Sequence, residues 1–159
     1  MNTALLQLGS NMGNSRVQFA FAQRLIVASV GEIVAASSLY DTLPWGNTTQ
    51  HNFLNQVLEV QTKLTPYNLI NTILSIEDKM GRVRNELYGA RIIDIDILFI
   101  NDKIIKSKQL TVPHPLIDQR RFVLTPLVEM KPNYVHPVLQ KTMAELLAEC
   151  TDTLAVHKI

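Results

Sequence analysis

The chain has 159 residues, 47% of them apolar, with 15 basic against 14 acidic side chains, a formal net charge of +1 and a single cysteine, Cys150. That length suits one domain, 1–159, able to bury roughly 70% of its unfolded surface without staples. The lone cysteine excludes an internal disulfide framework and argues against a cysteine zinc site, and the even charge balance offers no general case for a nucleic acid or membrane partner. The opening Met-Asn-Thr-Ala-Leu-Leu-Gln-Leu-Gly lacks a positive leader with an apolar core, and no window holds about 18 uninterrupted apolar residues, so the expectation is a soluble, cytoplasmic, unprocessed monomer.

Thr3 to Leu8 alternates as a strand, with Ala4, Leu6 and Leu8 on one face, and breaks at Gly9-Ser10-Asn11-Met12-Gly13. That glycine segment follows a strand and precedes a helix, but it lacks the Gly-Lys-Ser/Thr ending of a phosphate loop and the third glycine of a dinucleotide fingerprint, so it reads as a tight turn. Asn14 caps a helix with Val17, Phe21, Leu25 and Ala28 as its apolar stripe, stopped by Gly31. Ile33–Tyr40 and Phe53–Thr62 read as two strands separated by a loop holding Pro44 and Gly46. Thr65 caps and Pro66 opens a second helix, with Leu69, Ile73, Ile76 and Met80 as its stripe and Gly81 as its stop.

An arginine-rich segment follows, then a strand through Ile92–Ile100, which Asn101-Asp102 would turn into a short hairpin with Lys103–Ile105. The order β-α-β-β-α-β is the split βαβ arrangement of ferredoxin-like α+β domains. Beyond Pro113, prolines at 115, 126, 132 and 137 argue for an irregular extension wrapped on the sheet, before a last helix over Thr142–Cys150. The tail carries no signal.

The richest segment is Arg82 to Asp96, where three arginines lead into two carboxylates two residues apart. In a strand Asp94 and Asp96 share a face, with Cβ atoms roughly 6–7 Å apart. Such a pair needs solvent, arginines or divalent cations to relieve its repulsion. Arginines bind phosphate and paired aspartates hold the hard cations that ride on it, so the segment reads as a Mg·nucleotide site against the alternative of two solvated carboxylates.

Strand alternation extends the argument. Leu54, Leu58 and Val60 would face the helices, leaving Phe53 and Asn55 on the opposite face beside Asp94 and Asp96. Four other features each have a bland reading. Glu77 is a surface glutamate or a partner for an arginine or a nucleotide hydroxyl. His114, stiffened between Pro113 and Pro115, is structural or functional, with no second histidine at metal spacing. Arg120-Arg121-Phe122 is a solvated basic turn or a binding surface. Trp45, Phe53, Tyr88 and Phe122 are core residues or a stacking clamp for a flat heterocycle.

Taken in order, Gly9-Ser10-Asn11, Tyr40-Asp41-Thr42, Phe53-Leu54-Asn55, Glu77 with Gly81-Arg82-Val83-Arg84, Gly89-Ala90-Arg91-Ile92-Ile93-Asp94-Ile95-Asp96, Val112-Pro113-His114, Arg120 with Phe122 and Pro126-Leu127 resemble the 6-hydroxymethyl-7,8-dihydropterin pyrophosphokinases over nearly the whole chain. The resemblance implies transfer of pyrophosphate from ATP, as co-substrate, to the pterin hydroxymethyl oxygen, in folate biosynthesis. It implies two Mg²⁺ ions on Asp94 and Asp96, with Glu77, Arg84, Ile97, Thr111, His114 and Arg120 around the nucleotide and Arg82, Arg91 and Asp96 at the reacting phosphate. The pterin would lie between Phe53 and Phe122, with Thr42, Leu43, Trp45, Asn55 and Tyr88 around it. Leu87-Tyr88-Gly89-Ala90-Arg91 stands where the family commonly has a basic residue and Trp before Gly-Pro-Arg. The rivals are a ferredoxin-like module that binds a nucleotide or small ligand without turnover, an RNA-binding sheet, opposed by the outward aspartates, and a γ-phosphoryl kinase, which would release ADP.

Overall fold

A computed structural model describes residues 1–43, 51–81 and 92–159. Strand β1 (Asn2–Ser10) lies between β4 (Phe53–Thr62) and β5 (Asp94–Ile100), antiparallel to both. Further out, β2 (Gly31–Ala36) and β3 (Tyr40–Thr42) pair with successive stretches of β4, and β8 (Val156–Lys158) pairs with β3 at the edge. Helix α1 (Ser15–Ser29) joins β1 to β2 and helix α2 (Pro66–Lys79) joins β4 to β5. Each connection passes over an intervening strand, which is the interleaving of the split βαβ order read from the sequence.

The helix signals worked locally. Asn14 Oδ1 accepts from the Val17 N–H and Thr65 Oγ1 from the Asn68 N–H, each supplying an acceptor that the first helical turn lacks. Leu69, Ile73, Ile76 and Met80 are buried as predicted. In α1 the buried residues are instead Phe19, Ala22 and Ile26, while Val17 and Phe21 are 56% and 45% exposed. This helix is apolar on most sides, so two stripes compete; the buried one contains Ala22, whose small side chain lets the helix approach the sheet. Gly31 has a reason beyond stopping α1. A Cβ there would lie 1.9 Å from the Gln61 carbonyl oxygen, so the β2–β4 pairing has room only for glycine.

The two sheet faces carry separate cores. Ala4, Leu6, Leu8, Leu54, Leu58 and Val60 pack under α1 and α2, together with Ile95 and Ile97. On the other face Leu5, Val57, Leu98 and Phe99 pack against α3 (Arg121–Met130) and α4 (Met143–Glu149). A bulge where β1 Leu5/Leu6 meets β5 lets Leu98 and Phe99 both join this second core, while Asp94 and Asp96 keep strict alternation.

Three sequence expectations change here. The turn at Asn101 exists, with φ of 49°, but the segment after it does not pair with β5. Asn101 is held to β1, its N–H donating to Thr3 O and its Oδ1 accepting from Thr3 N, and the His114 N–H occupies Leu98 O on β5. The hairpin forms one step later, between β6 (Ile105–Lys106) and β7 (Thr111–Val112). The proline-rich stretch is not wholly irregular, since Pro126 sits inside α3. Finally the tail is strand β8, and Arg121 ties it down, donating from Nε to Asp152 O and from a terminal nitrogen to Cys150 O. α4 lies within the expected Thr142–Cys150, and Thr142 caps it in a capping box closed by Glu145.

Candidate active site

The face of the sheet covered by α3 and α4 is left open near the C-terminal end of β1. There Gly9 is opposite Asn55 on one side and Asp94 on the other, and Gln7 is opposite Val57 and Asp96. Period-two alternation therefore aims Gln7, Asn55, Asp94 and Asp96 into one space, and Phe53 joins them from the start of β4. This cavity spans about 510 Å³ including open solvent at its mouth and is completed by Thr42, Leu43, Arg120 and Phe122.

Its floor is glycine. Gly9 lies within β1 rather than in a turn, and a Cβ there would meet Asn55 Oδ1 at 3.3 Å and the Phe53 ring at 3.8 Å. Replacing Gly9 with valine should fill this floor and cut binding of a flat ligand by about 10²-fold, read by equilibrium titration, with the melting temperature as a control for folding. Unchanged affinity would show that the ligand does not rest there.

Two walls are held by side-chain contacts, one a hydrogen bond and one a cation–π pair. Asn55 and Thr42 are 3% and 2% exposed, and the Asn55 amide donates to Thr42 Oγ1 at 2.6 Å. The carboxamide is thus held in one orientation, its oxygen left as an acceptor on the cavity wall. Arg120 is buried with its guanidinium 5.6 Å from the centre of the Phe122 ring, a cation–π arrangement that fixes both at the start of α3. Arg121 points elsewhere, into the tail, so the basic pair divides into one site residue and one structural one.

A second cavity, of about 640 Å³ including open solvent, lies on the outer side of β5. Ile70, Ile95, Ile97 and Leu110 give it apolar walls; Ser107, Lys108, Gln109 and Thr111 come from the β6–β7 hairpin, with His114 and Pro115 beyond it. Asp96 lines both cavities.

His114 is a neutral donor in this wall. Its Nδ1 accepts from the Leu116 N–H at 3.2 Å, leaving the proton on Nε2. Burial pushes its pKa down to about 4, and the Arg120 charge adds to this against a smaller opposing effect of Asp94. His136 is also lowered, chiefly by burial, and its Nδ1 accepts from the Val138 and Leu139 N–H groups. An unfolded chain protonates both near pH 6.5 while the folded one does not. The stability they contribute is therefore complete above pH 6.5 and lost as pH falls below it; for His114 the loss runs down to about pH 4 and reaches up to roughly 3 kcal/mol at about 1.4 kcal/mol per pH unit. NMR titration of the ring signals should show His114 flat from pH 8 to 5; a midpoint near 6.5 would contradict this assignment.

Glu77 is buried and lines neither of these two cavities. It is 1% exposed, and its Oε2 accepts from the Ile95 N–H at 2.8 Å, so it fixes the backbone between the two aspartates. Among the expected residues, Thr42, Leu43, Phe53, Asn55, Asp94, Asp96, Arg120 and Phe122 meet in the first cavity, and Ile97, Thr111 and His114 join Asp96 in the second. Trp45, Arg82, Arg84, Tyr88 and Arg91 lie outside the described residues. Gln7, Ile70, Ser107, Lys108 and Gln109 were not anticipated. Alternation along β1 could have found Gln7; the hairpin residues carry no signal apart from the fold. Among the described residues no three His, Cys, Asp or Glu groups cluster as a metal cage, and no helix is long and apolar enough to cross a membrane.

Comparison with known proteins gives the family and the fold. Residues 5–132 match the family model described as 7,8-dihydro-6-hydroxymethylpterin-pyrophosphokinase (HPPK). A protein of Aquifex aeolicus named 2-amino-4-hydroxy-6-hydroxymethyldihydropteridine pyrophosphokinase is 39% identical over 95% of this chain and 94% of its own length. A Methylorubrum extorquens protein of the same name is 41% identical over 94% of both chains. The fold matches a Plasmodium falciparum HPPK-DHPS crystal structure with a TM-score of 0.75 at 22% identity, covering 94% of this chain and 43% of that one. With a family match over most of its length and relatives near 40% identity across nearly all of theirs, the chain belongs to the 7,8-dihydro-6-hydroxymethylpterin-pyrophosphokinase family.

Proposed function

We infer that this chain transfers the pyrophosphoryl group of ATP to the hydroxymethyl oxygen of 6-hydroxymethyl-7,8-dihydropterin, giving AMP and the pterin pyrophosphate for folate synthesis. Family membership supports the reaction. The observation that carries the site assignment is the position of Asp96, which borders two cavities of different character. One has aromatic walls and a fixed carboxamide, matching a flat heterocycle with a polar edge; the other has apolar walls with a basic and hydroxyl-bearing rim, matching a nucleotide. Their junction is where a phosphoryl group passing between two substrates belongs.

In this reading the pterin lies between Phe53 and Phe122, its polar edge against Asn55 and the Thr42-Leu43 backbone, with Trp45 and Tyr88 assigned to it from sequence. The nucleotide base lies among Ile70, Ile97 and Leu110, with Thr111 and His114 toward the phosphates. His114 offers an N–H without a charge that could be lost at neutral pH. Arg120 sits close enough to influence His114 while lining the pterin cavity, so it belongs to the junction. Arg82, Arg84 and Arg91 keep their assignment to the phosphates.

Asp94 and Asp96, half-buried on one strand face and lining one cavity, suit Mg²⁺, which takes one or two carboxylates and fills its remaining positions with water and substrate phosphate. Two such ions would be held by these two residues and would neutralise phosphate charge and polarise the β-phosphorus. The chain itself positions the groups. The pterin oxygen bonds to the β-phosphorus as the bond from that phosphorus to the α,β-bridging oxygen breaks. AMP departs, and the hydroxyl proton passes to Asp96 or to water.

The test is the nucleotide product. Incubation with Mg·ATP and hydroxymethyldihydropterin should give AMP in equal amount to pterin pyrophosphate, and only when the pterin is present. ADP would indicate a γ-phosphoryl kinase, and ATP binding without turnover a non-catalytic module.

A further inference from the structure

We propose that Gln7 is a positioning residue for the pterin, holding the Phe122 side of the clamp in place by bonding a helix carbonyl that Pro126 leaves without a helical donor. The argument starts from proline chemistry. In an α-helix the carbonyl of residue i accepts from the N–H of residue i+4, and proline has no N–H. Phe122 and Pro126 are four apart within α3, so the helix cannot supply the Phe122 carbonyl with its usual donor. Leaving a carbonyl unbonded under a buried site is costly. Gln7 Nε2 donates to Phe122 O at 3.1 Å, across 115 residues of sequence.

The location gives this bond a role beyond satisfying one oxygen. Gln7 is 4% exposed on the central strand, opposite Asp96 in the register, and lines the same cavity as Phe53, Asn55 and Phe122. It ties the first turn of α3, which carries Phe122 with Arg120 packed on its ring, to the strand neighbouring the aspartates. A side chain of this length with an amide donor is what the gap requires; methionine has nearly the same length and shape but no donor. The proposal rests on assigning the Phe53–Phe122 cavity to the pterin.

The test is a cycle of variants assayed on the intact chain with Mg²⁺. Gln7→Met should raise the pterin KM by about 5- to 30-fold, the effect of stranding one buried acceptor, with the ATP KM within about twofold of wild type. Pro126→Ala restores an N–H at the position that should serve Phe122, so Gln7→Met/Pro126→Ala should recover most of the pterin affinity lost by Gln7→Met alone. Gln7→Ala repeats the test if the methionine variant melts early. An unchanged pterin KM, equal losses for both substrates, or a double variant no better than Gln7→Met would overturn the proposal. If Phe53→Ala, which removes a wall of the same cavity, also leaves the pterin KM unchanged, the cavity assignment has failed instead, which separates the two.

Discussion

Alanine at Asp96 should reduce AMP formation by about 10³-fold or more while leaving the fold in place. A single preorganised charge-stabilising group at a reacting centre contributes about 10²–10³ in turnover, and this carboxylate is assigned both to the metals and to the junction of the two substrates. Asp96 is only half-buried, so its removal opens no core cavity and relieves repulsion from Asp94. The melting temperature should stay within about 5 °C of wild type, an expectation for a change of less than about 1 kcal/mol. Asp94→Ala should lose turnover to a similar degree. Single-turnover measurement with saturating Mg·ATP separates lost chemistry from lost affinity, and a rate within about tenfold of wild type would show that the carboxylates are not at the reacting centre.

Glu77→Ala should have the second largest effect, by a different route. Glu77 touches neither cavity but accepts from the Ile95 N–H inside the protein, between the two aspartates. Removing it strands a buried donor, costing about 1–3 kcal/mol of stability, and frees the segment that aims Asp94 and Asp96; misplacement by about 1 Å can cost about 10²-fold in rate. Glu77→Gln keeps an acceptor oxygen at the same reach and should retain most of both. If Gln and Ala were equally inactive, the carboxylate charge rather than the backbone contact would be the operative feature, and the positioning role assigned to Glu77 would be wrong.

Glu77 also shows what sequence can and cannot reveal. Its position beside the apolar stripe of α2 was legible, but burial against Ile95 depends on where β5 packs, which no local pattern encodes. Phe53, Asn55, Asp94 and Asp96 were brought together correctly because strand alternation is a strict rule that needs only the element order. The boundaries of α2 were legible because Thr65, Pro66 and Gly81 act locally. The stripe of α1 was not, because Val17 and Phe21 are as apolar as Phe19 and Ile26, and only sheet contact decides between them.

The C-terminal third was hardest to read for two reasons. Val156–Lys158 is too short to signal a strand and owes its form to pairing with β3. Pro126 argued against helix α3 because its missing bond is normally disruptive. The compensating donor is Gln7, 115 residues away in sequence from Phe122 and invisible until the chain is folded. Gln7 shares the face of Asp96 by alternation, but its uncharged amide adds no charge pattern to mark it.

The central claim is that pterin and nucleotide occupy the two cavities that meet at Asp96. A crystal structure with Mg²⁺, hydroxymethyldihydropterin and a non-hydrolysable ATP analogue tests it most directly. The account predicts the pterin ring between Phe53 and Phe122, the nucleotide base against Ile70, Ile97 and Leu110, and the β-phosphorus beside Asp96 facing the pterin oxygen. A nucleotide base between Phe53 and Phe122, or a β-phosphate remote from Asp96, would contradict it.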